Sequence, residues 1–188
     1  MADEFIPQTR EYNLGGPGGG PAGRSVGFWE AVKSALSKYA TFSGRAQRAE
    51  YWWFFLFTLI GGMVTGVIDA MIFGWEADDP EILNSVFSFA MFVPGLAVGW
   101  RRMHDVGRSG WWFLLPYGAL FFAVIALATV GFSGEGGGSG VAIVAVVLVL
   151  LTLAAGIYIL VLLCTDSERH TNDYGPSPKY GSQADIFS

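Results

Sequence analysis

Side chains able to do chemistry are concentrated in three short motifs: Gly44-Arg45-Ala46-Gln47-Arg48-Ala49-Glu50-Tyr51-Trp52, Arg101-Arg102-Met103-His104-Asp105-Val106-Gly107-Arg108-Ser109-Gly110-Trp111, and Asn172-Asp173-Tyr174-Gly175-Pro176. The first two gather Arg45, Arg48, Arg101, Arg102 and Arg108 beside Glu50, His104 and Asp105. A guanidinium fork matches a carboxylate or a phosphate through two parallel hydrogen bonds. Three uses follow. Glu50 and Asp105 can tie the two motifs together through arginine pairs. The arginines can grip the phosphates of anionic lipids, as basic pockets between membrane helices do. They can also simply hold one side of the chain in the cytoplasm.

Catalysis is the least supported use. The sequence has no Walker-type loop, no dinucleotide fingerprint, no Ser-x-x-Lys and no Gly-x-Ser-x-Gly. His104, Asp105, His170 and Asp173 are nitrogen and oxygen donors, but they lack the tandem spacing of a zinc motif. No metal, cofactor or nucleic-acid partner is expected. The single cysteine, Cys164, excludes an intramolecular disulfide and reads as a small apolar residue at the end of an apolar run.

The elements that must position these motifs are apolar. Only 14% of the 188 residues are charged, against about 25% in soluble domains. Four runs are long enough to cross about 30 Å of hydrocarbon: 51–73, 82–100, 111–130 and 141–163. The reading is an all-α integral membrane protein of four transmembrane helices. Nothing before Tyr51 resembles a secretory signal, so the first span is expected to be an uncleaved anchor.

The eleven lysines and arginines fix the orientation. Six precede the first span, Arg101, Arg102 and Arg108 lie between the second and third, and Arg169 and Lys179 follow the fourth. The connections 74–81 and 131–140 contain none; the first is acidic and the second is a glycine-rich link. Positive charge marks the inside, so both termini are expected in the cytoplasm. Trp52, Trp53, Trp100, Trp111 and Trp112 then stand at the inner ends of spans, where aromatic rings anchor at headgroup level.

Residues 1–27 are polar and rich in glycine and proline, the composition of a flexible tail, and 181–188 form a second tail. Between the first tail and the first span, Phe28, Val32, Ala35, Leu36 and Tyr39 recur at helical spacing. This predicts an amphipathic helix over 28–39 in the inner interface, with packing on a cytoplasmic loop as the alternative. Residues 28–180 form one membrane domain on this reading. Arg48-Ala49-Glu50-Tyr51-Trp52-Trp53 aligns with Arg108-Ser109-Gly110-Trp111-Trp112-Phe113, a weak repeat compatible with two parallel hairpins. Asp69 lies near the outer end of the first span, where its carboxylate is expected to snorkel to the headgroups. Pro94 and Gly95 allow a kink, and Gly61, Gly62 and Gly66 allow close helix approach.

In order and spacing the three motifs resemble the bacterial membrane family catalogued as domain of unknown function 805, over roughly residues 28–180. That resemblance implies a small helical bundle in the bacterial inner membrane and supplies no reaction. The function expected is non-enzymatic: an accessory or assembly subunit packing against a larger membrane complex and lipids. The alternatives are a protein binding anionic lipid headgroups or another anionic ligand through the arginine motifs, and a small oligomeric transporter or channel.

Overall fold

A computed structural model describes residues 25–76, 79–132 and 139–180. Residues 1–24 of the first tail, all of the second tail (181–188), 77–78 of the acidic link and 133–138 of the glycine-rich link lie outside the described residues. The described chain is helical: α1 (Phe28–Ser37), α2 (Arg48–Phe73), α3 (Ile82–Asp105), α4 (Trp111–Phe132) and α5 (Ser139–Cys164). Four of these, α2 to α5, are long and apolar enough to cross a membrane. At 1.5 Å per residue, the 24 residues of α3 extend about 36 Å. That is longer than the hydrocarbon, and the excess carries the charged motif.

The helices outrun the apolar windows for a simple reason. Hydropathy stops where polar residues begin, whereas a helix stops where its backbone is turned. In α3 the turn comes at Gly107, whose φ of 67° suits a residue without Cβ. The Gly107 amide donates to the His104 carbonyl and the Arg108 amide to the Met103 carbonyl. This pair of bonds is a Schellman ending. The helix therefore carries Arg101, Arg102, His104 and Asp105 on its last turns, with 101–105 all buried.

α2 packs closely on α3, and α4 on α5, so the bundle is two hairpins that touch one another lightly. Within the first hairpin, Gly61 makes room for Phe87: a Cβ there would stand 2.2 Å from the ring. At the end of the bundle remote from the arginines, Asp69 is buried and accepts the Leu83 and Asn84 amides at 3.0 and 2.8 Å. It satisfies two of the orphan donors that open α3. The expected snorkelling is thus corrected, because a buried donor pair holds the carboxylate more firmly than the headgroups would.

α1 turns Ala31, Val32 and Ala35 inward against α2 and α3 and leaves Trp29 exposed. Ala35 packs with Phe54 of α2, Val98 of α3 and Ala46 of the connecting loop, so the helix rests on both the bundle and the loop before α2. Tyr39 follows α1 and donates its hydroxyl to the Ala90 carbonyl at 2.6 Å. Pro94, four residues on, has no N–H with which to claim that carbonyl. The proline thus leaves an acceptor in the middle of α3, and the tyrosine fills it.

Candidate functional site

The three motifs meet at one end of the bundle. Asp105 is fully buried, and its two oxygens receive three donors: Arg45 Nε at 3.0 Å, Arg102 Nη1 at 2.6 Å and Ser167 Oγ at 2.5 Å. A buried carboxylate is tolerated only when it is paired and hydrogen-bonded, and here both conditions are met.

The two arginines on Asp105 spend their remaining donors on backbone carbonyls. Arg102 Nε reaches the Leu163 carbonyl, and Nη2 reaches those of Leu162 and Thr165. Leu162 and Leu163 supply orphan acceptors at the end of α5 and Thr165 lies just past it, where a cation is stabilised by the negative end of the helix dipole. Arg45 Nη1 donates to the His170 and Gly175 carbonyls, and Nη2 to those of Asp105 and Glu168. One arginine therefore closes the last helix and the other pins the chain that follows it. All three nitrogens of each guanidinium are engaged.

His104 completes the docking of this segment. Its Nδ1 lies 3.1 Å from the Gly44 carbonyl, and its ring stacks on Tyr174 with centroids 3.7 Å apart. Asn172 donates to the His104 carbonyl at 2.9 Å, and Asn172 and Gly175 close a turn through mutual backbone bonds. Gln47 holds the Pro178 carbonyl at 2.7 Å. Residues 165–180 are thus laid across the ends of α2 and α3 and sewn down by side chains from both motifs.

A second buried pair lies beside this network. Arg101 Nη1 donates to Glu50 Oε1 at 3.0 Å, and Ser34 of α1 donates to the same oxygen at 3.0 Å. Arg101 Nε and Nη2 are buried and have no hydrogen-bond partner among the described residues.

Of the eight residues expected at this cluster, Arg45, Glu50, Arg101, Arg102, His104 and Asp105 come together in the buried layer. Arg48 and Arg108 do not. Arg48 is half-exposed and approaches Asp166 at 3.8 Å, and Arg108 is exposed on the turn after α3. The aligned hexads also differ in setting, since Arg48 is the first residue of α2 while Arg108 lies three residues before α4. Of the histidine and aspartate donors weighed for a metal, His104 is committed to Gly44 and Tyr174, and Asp105 to its arginines and Ser167. His170 contributes its carbonyl to Arg45.

Sequence reasoning missed Ser34 and Ser167. An isolated serine carries no pattern, and only the fold brings these two to buried carboxylates. It also missed Asp166, which receives Lys179 Nζ at 2.6 Å and the Tyr180 hydroxyl at 3.1 Å. The Lys179 hydrogen bond, aided by the Ser167 amide and Tyr180, holds the Asp166 carboxyl down at about 2. Lys179 is raised by the same bond.

The anchor tryptophans gather at this end as well. Trp100 meets Trp111 edge-on at 5.0 Å and Phe42 at 5.7 Å, and Trp112 meets Tyr158 at 5.7 Å. Trp52 packs on Tyr51 at 5.4 Å, and Trp53 on Phe28 of α1 at 5.8 Å.

Fold and site together define a four-helix membrane protein whose polar end is closed by buried arginines. The chain belongs to the family described as Protein of unknown function (DUF805), which it matches over residues 39–176. It is similar to Inner membrane protein YhaH of Escherichia coli (strain K12), 38% identical over 104 residues, covering 53% of this chain and 85% of that protein. It is also similar to Inner membrane protein YhaI of the same organism, 36% identical over 149 residues, covering 79% of this chain and 95% of the relative. No solved structure matches.

Proposed function

We propose that this chain is a non-enzymatic accessory subunit of the bacterial inner membrane, with its arginine-rich end in the cytoplasm, that docks against a helix of a larger membrane protein. The observation that carries the reading is a contrast between its two kinds of surface. Most of the charged motif residues are consumed internally, in holding helix ends and residues 165–180 together. What the molecule presents along the membrane is apolar, including a cavity of about 650 Å³ between the hairpins lined by Phe55, Phe87, Met91, Phe92, Leu114 and Tyr117. Phe55 and Phe92 are exposed. α4 and α5 contain no charged residue, so a polar path across the membrane has little to run along.

In vivo photo-crosslinking tests the proposal. A crosslinking residue at Phe55 or Phe92 should yield one discrete membrane-protein adduct. The same residue at Leu151 or Val161 on α5 should not. The captured protein should also co-purify at fixed stoichiometry in mild detergent. Adducts with lipid alone, or with a second copy of this chain, would refute the accessory-subunit reading.

A further inference from the structure

The buried charges at the arginine-rich end do not balance. Among the described residues, Arg45, Arg101 and Arg102 are buried there against Glu50 and Asp105, leaving one positive charge in excess. Asp69 is no remedy, since it lies 19 residues along α2 from Glu50, about 28 Å away. Arg45 and Arg102 have every nitrogen engaged, so the deficit falls on Arg101. Its two unpartnered atoms, Nε and Nη2, form the side-on edge with which a guanidinium takes two oxygens of one oxyanion. Arg101 is 1% exposed, and leaving a charged group buried with donors unmet is costly.

We propose that the Nε–Nη2 edge of Arg101 is a phosphate-binding site at the arginine-rich end of the bundle. Its position points to a phospholipid headgroup as the source. The neighbouring residue is Trp100, packed with Phe42 and Trp111, and such rings settle at headgroup level. The short helix α1, near the same end of the bundle, is amphipathic. α1 rests on the small side chains Ala31 and Ala35 and on Val32, and Ser34 ties it to the Glu50 oxygen that Arg101 also uses. Because Arg101 is buried, binding requires a local displacement that bares the Nε–Nη2 edge while the Nη1–Glu50 pair stays closed. This inference is independent of the docking of a partner protein in the apolar cavity.

The test uses full-length protein purified in a maltoside detergent, which carries no phosphate. Native mass spectrometry and thermal melting are followed with three added probes: phosphatidylglycerol, diacylglycerol with the same chains, and inorganic phosphate. Retention of about one phosphatidylglycerol per chain, with a raised melting temperature and no effect of diacylglycerol, supports the site and its lipid source. Stabilisation by inorganic phosphate with no lipid retained supports the same oxyanion site and assigns it a free anion. Arg101→Lys keeps the charge and loses the fork, and it should weaken phosphatidylglycerol retention by about tenfold. Equal retention of the two lipids, no response to any probe, or unchanged retention by Arg101→Lys would each overturn the proposal. The comparison among probes is made on the wild-type chain, so it decides the matter even if the variant folds poorly.

Discussion

Asp105→Asn is the most informative perturbation of the arginine network. The substitution conserves volume and one acceptor oxygen but removes the charge that Arg45 and Arg102 share. Arg102 has no exposed side-chain surface and Arg45 about 1%, so neither can recover solvation in water. The new amide also sets an N–H either against Arg45 Nε or against Arg102 Nη1 and Ser167 Oγ, where donors already point. Breaking a buried pair by removing one partner costs about 3–5 kcal/mol. Whole-protein stabilities are about 5–15 kcal/mol, so this is a large fraction. The expected result is a fall of several-fold in membrane protein level, a markedly lower melting temperature in detergent, and faster proteolysis of residues 165–180. Asp166→Asn serves as the control. Its carboxylate is 43% exposed, and the ion pair it makes belongs to the class that contributes little. If Asp105→Asn melts and accumulates like Asp166→Asn, the network is not the clamp described here.

Two further outcomes are expected. Asp69→Ala strips the cap from the Leu83 and Asn84 amides and should cost about 1–2 kcal/mol, read as a lower melting temperature; Asp69→Asn should lose less, because one acceptor survives. The Asp166 contacts predict a pH window. A carboxyl held at about 2 in the folded chain and near 3.9 when unfolded contributes stability that is complete above about pH 4 and is lost as pH falls towards 2. Wild type should therefore melt only slightly above Asp166→Asn at pH 6, by far less than the Asp105→Asn gap, and that small difference should shrink between pH 5 and pH 2; a difference that does not shrink over this range would contradict the assignment.

Much of the fold was legible in the sequence because the bilayer imposes a one-dimensional constraint. Backbone polar groups in hydrocarbon must be satisfied within the segment, so each run of about 20 apolar residues commits to a helix. The spans, the acidic and glycine-rich links and the gathering of tryptophans at one end all follow from that constraint and from composition. Helix ends did not follow, because the Gly107 turn, and not the last apolar residue, decides where α3 stops. That difference of about one turn places Arg101, Arg102 and Asp105 on a rigid helix instead of a loop.

Pairing was the part that sequence left open. Five arginines near two carboxylates look alike in composition, and nothing local says which are buried. Tertiary structure separates them by giving Arg45 and Arg102 a common carboxylate and carbonyls within 162–175, leaving Arg48 and Arg108 exposed, and burying Arg101 with two of its three nitrogens unmatched among the described residues. Ser34, Ser167 and Tyr39 acquire their roles in the same way, from segments distant in sequence. The sequence by itself determined the membrane class, the helices and the residues able to pair. Tertiary structure decided the partners, because burial sets the cost of an unmet charge or carbonyl, and burial is a property of the packed chain and not of any one segment.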